Sequence, residues 1–204
     1  MRTIITEEVV YSWEDVKNNP ELLEKALDKN RDINTDHGMD WWDMVYEDFI
    51  ENNEYFNVKN IYFSGFYSQG DGAMFEYDSI NSQLVSDFLL SLDLSPMRKA
   101  WLNNNAYFYG KGKHQGHYYH ENCCGHYAGC EVDNGDILNW SNFRNWIESF
   151  DPLFEDFLMD KYKDMCRKLY RDLEETHDYL QSDQSVSDTL EANDYEFNIN
   201  GEIV

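Results

Sequence analysis

Apolar residues recur at three- and four-residue steps in several stretches of the chain, and each stretch predicts a helix. Leu22, Leu23, Ala26 and Leu27 follow Asn19, a good N-cap, and Pro20, which suits the first helical position, before the chain turns polar from Lys29 to Asp36. Upstream, Ser12 and Asp15 form a helix-start box that opens a short turn through Val16. Asp40 is placed to cap a helix over DWWDMVYEDFIENN, where Trp42, Val45, Tyr46 and Phe49 share a stripe opposite Asp43, Glu47 and Glu51. Leu84, Val85, Phe88, Leu89 and Leu92 predict a helix from Ile80 to Leu92, and Ser95 with Pro96 starts another carrying Met97, Trp101 and Leu102. The strongest pattern is the last: Asp151 and Pro152 open a long helix in which Phe154, Leu158, Tyr162, Met165, Leu169 and Leu173 repeat, running nearly to Leu180. Ser182 or Asp183 then caps a shorter helix with Val186 and Leu190.

Between the helices the period changes. VKNIYFSGFYSQGDGAMFEYD, residues 58–78, reads as two strands around the loop Ser68 to Gly72, because β-branched and aromatic residues flank a run of turn formers. Ala106 to Val132 predicts two or more strands, the stretch from Ile137 to Phe150 short helical turns, and the opening RTIITEEVVY and YEFNI at 195–199 a strand each. Strands and helices interleave without regular βαβ spacing, so the expected class is α+β: an antiparallel sheet of hairpins packed with several helices, including one long C-terminal helix. At 204 residues, with no repeat or Pro/Ser linker, the expectation is a single domain over 1–204.

Composition separates this chain from acidic disordered tails, since 42% is hydrophobic and 16% aromatic. Sixteen Lys and Arg face 40 Asp and Glu, a formal charge of -24, which argues against direct binding to nucleic acid or to an anionic membrane and favours a partner with a basic surface. No run approaches the roughly 18 apolar residues of a membrane helix, and MRTIITEEVVYSWED lacks a signal peptide's apolar centre, so a cytoplasmic location is expected. Three of the four cysteines fall within eight residues, unlike a secreted disulfide framework, and thiols are expected.

The hairpin IYFSGFYSQGDGAMFE, the segment HQGHYYHENC and the closing YLQSDQSVSDTLEANDYEFNINGE together resemble a family of small bacteriophage and prophage proteins, some of whose members carry an antitoxin label. The similarity extends over most of the chain, with the WWDMVYEDF helix, the hairpin loop, the His-rich strand and the C-terminal elements in the family's order. Cys123, Cys124, His126 and Cys130 depart from its pattern, in which a single Cys follows the Tyr/His run. The resemblance implies a phage setting, inside a bacterial host, where small accessory proteins bind and disable host machinery. It implies no activity and no site residues.

The densest chemical signal is KGKHQGHYYHENCCGHYAGC, which gathers His114, His117, His120, Cys123, Cys124, His126 and Cys130. Imidazole and thiolate are the usual Zn²⁺ ligands, so His120, Cys123, Cys124, His126 and Cys130 are candidate zinc ligands. The spacing matches no recognised finger, and on a strand His117 would face away from His114 and His120 unless the glycines at 116, 125 and 129 break it. The competing reading is a polar strand surface plus buried thiols. A Cys/His nucleophilic pair, with His120 or His126 beside the thiol, is a further alternative; the field of -24 acts against it by raising thiol pKa. In SQGDGA, Asp71 and the loop amides are a candidate anion nest or cation site, set against a hairpin turn that needs glycine at positive φ. Gly110, Gly112 and Gly116 miss dinucleotide spacing and read as a bend.

Acids concentrate toward the ends: 15 against 6 bases in 1–60, 10 against 5 in 61–150, and 15 against 5 in 151–204. On the predicted helices Asp40, Asp43, Glu47, Asp48 and Glu51, and later Glu155, Asp156, Asp160 and Asp164, would form solvent faces that either keep the protein soluble or imitate a row of phosphates. The function expected from this is an acidic interaction protein that binds and inhibits a basic host protein, one of defence or nucleic-acid handling. Trp41 and Tyr46 are candidate anchors. The alternative is a metal-supported enzyme or ligand binder built on 114–130.

Overall fold

The computed structural model describes residues 9–36, 40–132 and 145–204. The chain divides into two compact units, Met1–Asp43 with Leu173–Val204, and Met44–Asp172.

The first unit holds β1 (Tyr11–Ser12), α1 (Trp13–Lys17), α2 (Pro20–Lys29), α7 (Asp183–Ala192) and β6 (Glu196–Phe197). Its helix starts follow the sequence signals. Ser12 Oγ accepts from Asp15 N–H at 3.3 Å while Ser12 N–H donates to the Asp15 carboxylate at 3.1 Å, and Asn19 Oδ1 accepts from Leu22 N–H at 3.3 Å. Ser182 caps α7. Trp13, Val16, Leu22, Ala26, Val186, Leu190 and Phe197 form its core. The predicted opening strand shrinks to Tyr11–Ser12, paired antiparallel with the equally short β6, and Val9 and Val10 are exposed; residues 1–8 lie outside the described residues. Ser12 N–H is committed to the cap, which ends the ladder there. The closing turn needs glycine at 201: φ is +80°, and a Cβ would sit 2.5 Å from Ala26 N.

The second unit is built on a four-stranded antiparallel sheet, β2 (Phe56–Phe63), β3 (Ala73–Ile80), β4 (Ala106–His114) and β5 (Cys124–Val132), in the order β2-β3-β4-β5. The helix α3 (Asp43–Glu51) precedes it, α4 (Ser82–Ser91) and α5 (Pro96–Asn105) join β3 to β4, and α6 (Asp151–Leu180) follows, belonging to this unit as far as Asp172. This is the α+β architecture of hairpins and a long C-terminal helix. Two details differ from expectation. The helix at 43 starts three residues after Asp40, whose carbonyl accepts from Asp43 N–H at 2.9 Å, and the His-rich strand ends at His114, where Gly116 at φ +106° turns the chain into a loop. Of the helical turns expected over 137–150, residues 145–148 are helical and 137–144 lie outside the described residues.

α6 packs on one face of the sheet, and small residues make room for it. β4 alternates, with Phe108, Gly110 and Gly112 buried and Tyr107, Lys111 and Lys113 exposed. A Cβ at Gly110 would lie 2.7 Å from Leu158 Cδ1; one at Gly112 would meet the Tyr77 ring and stand 2.8 Å from Cys124 Sγ. These glycines are mid-strand clearances, not the bend read from sequence. Into the space come Tyr162, whose hydroxyl donates to Phe75 O at 2.8 Å, and the rings of Phe56, Phe75 and Tyr77, with Phe88, Phe108 and Phe154 beyond them at 5.0–5.6 Å centroid separation. At its N-terminus Asp151 Oδ1 accepts from Cys130 N–H at 2.8 Å, tying the helix to β5. Among the described residues no helix is long and apolar enough to cross a membrane.

Adding one methyl at Gly112 forces the Tyr77 ring or Cys124 aside in a filled core. Gly112→Ala is therefore expected to cost about 1–3 kcal/mol, read as a lower urea midpoint with unchanged m. An unchanged midpoint would show that the clearance is dispensable.

Candidate functional site

The second unit carries a cleft of about 740 Å³ between α6 and two loops, a volume suited to a small molecule. The hairpin loop contributes Asp71 and Gly72, the β4–β5 loop His120 and Glu121, and α6 Asp164, Arg167, Lys168 and Arg171, over a floor that includes Ala73, Met165 and Cys166. The loops approach closely because their glycines have no side chains: a Cβ at Gly72 would be 2.8 Å from His120 Cβ, and one at Gly70, φ +97°, 2.5 Å from the Tyr118 ring. Asp71 itself is a loop fastener. Its Oδ2 accepts from Tyr67 N–H at 2.9 Å and Ser68 N–H at 2.6 Å. Of the alternatives read for SQGDGA, the geometry supplies the glycine-bearing turn, with Asp71 on the cleft wall.

The acid-rich composition hides a basic wall on this cleft. Arg167, Lys168 and Arg171 occupy i, i+1 and i+4 of one helix and so project to one side. Arg167 pairs with Glu121 at 3.3 Å and Asp164 at 3.5 Å, and Lys168 with Asp172 at 2.6 Å. Five of the chain's 16 bases fall within 161–171, a clustering the net charge conceals.

The candidate zinc ligands are dispersed. His120 Nε2 lies 3.4 Å from Cys123 Sγ in the loop. Cys124 Sγ and His126 Nδ1, on β5, are 3.9 Å apart on the inner side of the sheet, where Tyr77 Oη is 2.9 Å from the same nitrogen. Cys130 is buried farther along β5 opposite Phe108. Among the described residues no three His, Cys, Asp or Glu side chains are arranged to hold a metal ion. The segment instead supplies two separate thiol–imidazole contacts, and its inner half belongs to the core. Burial lowers the His126 pKa to about 4, so the ring is neutral at pH 7, and pushes the thiols of Cys124 to about 11 and of Cys130 and Cys166 to about 12.

The acidic helices keep their predicted faces. Asp43, Glu47, Asp48 and Glu51 are exposed on α3, as is Asp40 before it, and none of their carboxylates has an ion pair among the described residues. Met44, 72% exposed, stands among Glu47, Asp48 and Glu51 at i+3, i+4 and i+7, with Ile50 also exposed. On α6, Glu155, Asp156 and Asp160 are exposed around Leu153, but the row breaks at Asp164, which the Arg167 guanidinium holds. Trp41 and Tyr46 are half-buried, so the projecting anchors are aliphatic.

A family model described as a domain of unknown function, DUF8835, matches residues 41–183, and the chain belongs to that family. No curated protein and no solved structure matches it.

His126 makes stability pH-dependent. Its folded pKa, about 4, lies below the unfolded 6.5, so the unfolded chain takes up the proton first and stability falls as pH drops from 6.5 to 4. The full shift is worth about 3 kcal/mol, and solvent reaching the partly exposed ring reduces it to about 2 kcal/mol. Urea titrations across that range should show the loss in the parent protein, and His126→Gln should flatten it; equal slopes would assign the acid sensitivity elsewhere.

Proposed function

We propose that this member of the DUF8835 family is an acidic interaction protein that captures and obstructs a Lys/Arg-rich surface of a host protein. The observation that supports this is α3: two exposed aliphatic side chains, Met44 at 72% and Ile50 at 48%, set among Glu47, Asp48 and Glu51, whose charges meet no cation among the described residues. A desolvated apolar anchor inside a charged rim is the usual anatomy of a specific interface, and the rim steers the encounter while the anchor slows dissociation. The host setting comes from the resemblance to phage proteins and the basic partner from the charge of -24.

The mechanism is capture rather than a copy of a duplex. Asp156 and Asp160 are one helical turn apart, about 6 Å along the axis, whereas B-DNA carries a charge every 1.7 Å or so. Acid faces of this density attract a basic groove and block nucleic acid from it without reproducing phosphate geometry.

Tagged protein incubated with host lysate should enrich a basic protein at low salt and release it at high salt, and Asp48→Lys with Glu51→Lys should lower that enrichment about tenfold or more. Enrichment insensitive to both salt and charge reversal would overturn the reading.

A further inference from the structure

The contacts that hold the walls of the cleft together satisfy most of its charges. Tyr170 fastens the hairpin loop to α6: its hydroxyl donates to Gly65 O at 3.3 Å and its ring lies 5.4 Å from that of Phe66. Glu121 fastens the β4–β5 loop, pairing with Arg167 at 3.3 Å. Asp164 reaches the same guanidinium at 3.5 Å, and Lys168 is held by Asp172 at 2.6 Å. The walls are therefore in place without a ligand, and binding does not have to order them.

Two of the lining charges are left over. Arg171 stands one turn beyond Arg167 on the same side of α6, and Asp71 belongs to the loop wall. Neither has an ion pair among the described residues. The Oδ2 of Asp71 is occupied by the N–H groups of Tyr67 and Ser68, which leaves Oδ1 to accept from a ligand.

This lining selects the class of ligand. A simple anion drawn to Arg171 would meet Asp71, Glu121 and Asp164 in a protein of charge -24, and a simple cation drawn to Asp71 would meet Arg167, Lys168 and Arg171. A molecule with one end of each sign answers both walls, and having no net charge it is not repelled by the field of the protein. A guanidinium binds a carboxylate with two parallel hydrogen bonds, and a carboxylate oxygen accepts from an ammonium. Between the ends, Ala73 and Met165 offer apolar contact to a side chain. The volume of about 740 Å³ exceeds that of one amino acid and accommodates two.

We propose that the cleft is a binding site for a dipeptide in its zwitterionic form, with the terminal carboxylate on Arg171 and the terminal ammonium on Asp71. Binding here is separate from the capture of a basic surface by α3.

The test is isothermal titration of the full chain with dipeptides spanning apolar, aromatic, acidic and basic side chains, each as the free zwitterion, as its N-acetyl form and as its C-terminal amide. At least one free dipeptide is expected to bind, one molecule per chain, with both of its capped forms about tenfold or more weaker. Arg171 is exposed, so Arg171→Ala should keep the native circular dichroism spectrum while weakening the free dipeptide about tenfold and adding no further loss to the amide. Arg171→Lys, which keeps the charge without the fork, should recover part of the affinity. Failure of every free dipeptide to bind at millimolar concentration would overturn the site. An N-acetyl form as tight as the free peptide would overturn the role of Asp71 and with it the zwitterion. An amide as tight as the free peptide, or equal losses for both in Arg171→Ala, would overturn the role of Arg171. The readout is heat on purified protein and does not depend on the acidic faces having a partner.

Discussion

The contact between α6 and the inner face of the sheet organises the second unit, and it exists because two strand positions carry no side chain. At Gly110 the vacated volume is taken by Leu158, and at Gly112 by Tyr77 and Cys124. With the helix this close, the Tyr162 hydroxyl reaches a backbone carbonyl of β3 and its ring lies 4.6 Å from that of His126 on β5. The β3–β4 pairing in the ladder is short, Tyr77 with Gly112, so packing from the helix side does much of the work of holding the two hairpins together. The same approach brings Arg167, Lys168 and Arg171 over the two loops and so creates the cleft. A bulkier β4 would lose the cleft with the core.

That close packing also decides what the histidines and cysteines do. Tyr77, Tyr162, Cys124, Cys166 and His126 make a buried polar cluster in which the phenols are pushed above their ordinary pKa by burial and the imidazole is held neutral. Neutral, mutually hydrogen-bonded groups are the inexpensive way to keep polar atoms in a core, whereas a charged ligand set there would carry a desolvation cost of several kcal/mol per ion. The inner half of the segment is therefore structural, while His120 and Cys123 lie half-buried in the loop that precedes it.

Sequence conveyed the local physics well. Ser12 with Asp15, Asn19 with Pro20, Ser95 with Pro96 and Ser182 are caps whose geometry depends on a few neighbouring residues, and the helices begin where they stand. The long helix was legible because its stripe persists over many turns. Long-range relations were not legible. Gly110 and Gly112 look like a bend until Leu158 and Tyr77 are seen against them, and HQGHYYHENCC looks like one ligand cluster until the strand break at Gly116 leaves His117, His120 and Cys123 in a loop while Cys124 stands on β5 beside Tyr77 and Gly112. Arg167, Lys168 and Arg171 were visible as a basic run, but what makes them a wall is a hairpin loop about a hundred residues earlier in the chain.

The charges divide in a way that bears on function. Several of the bases close short pairs within their own unit, as Arg167 does with Glu121 and Asp164, Lys168 with Asp172, and Lys17 with Glu14 and Glu191. Exposed pairs of this kind contribute at most about 1 kcal/mol each, so they add little to the fold. Their larger effect is spatial: they neutralise acids around the cleft, while α3 and the start of α6 keep acids without ion pairs among the described residues, around exposed Met44, Ile50 and Leu153. Like charges crowded on one helix repel, and nothing in the packing of α3 requires four of them. That repulsion, around uncovered apolar side chains, is what the cationic partner proposed above would relieve.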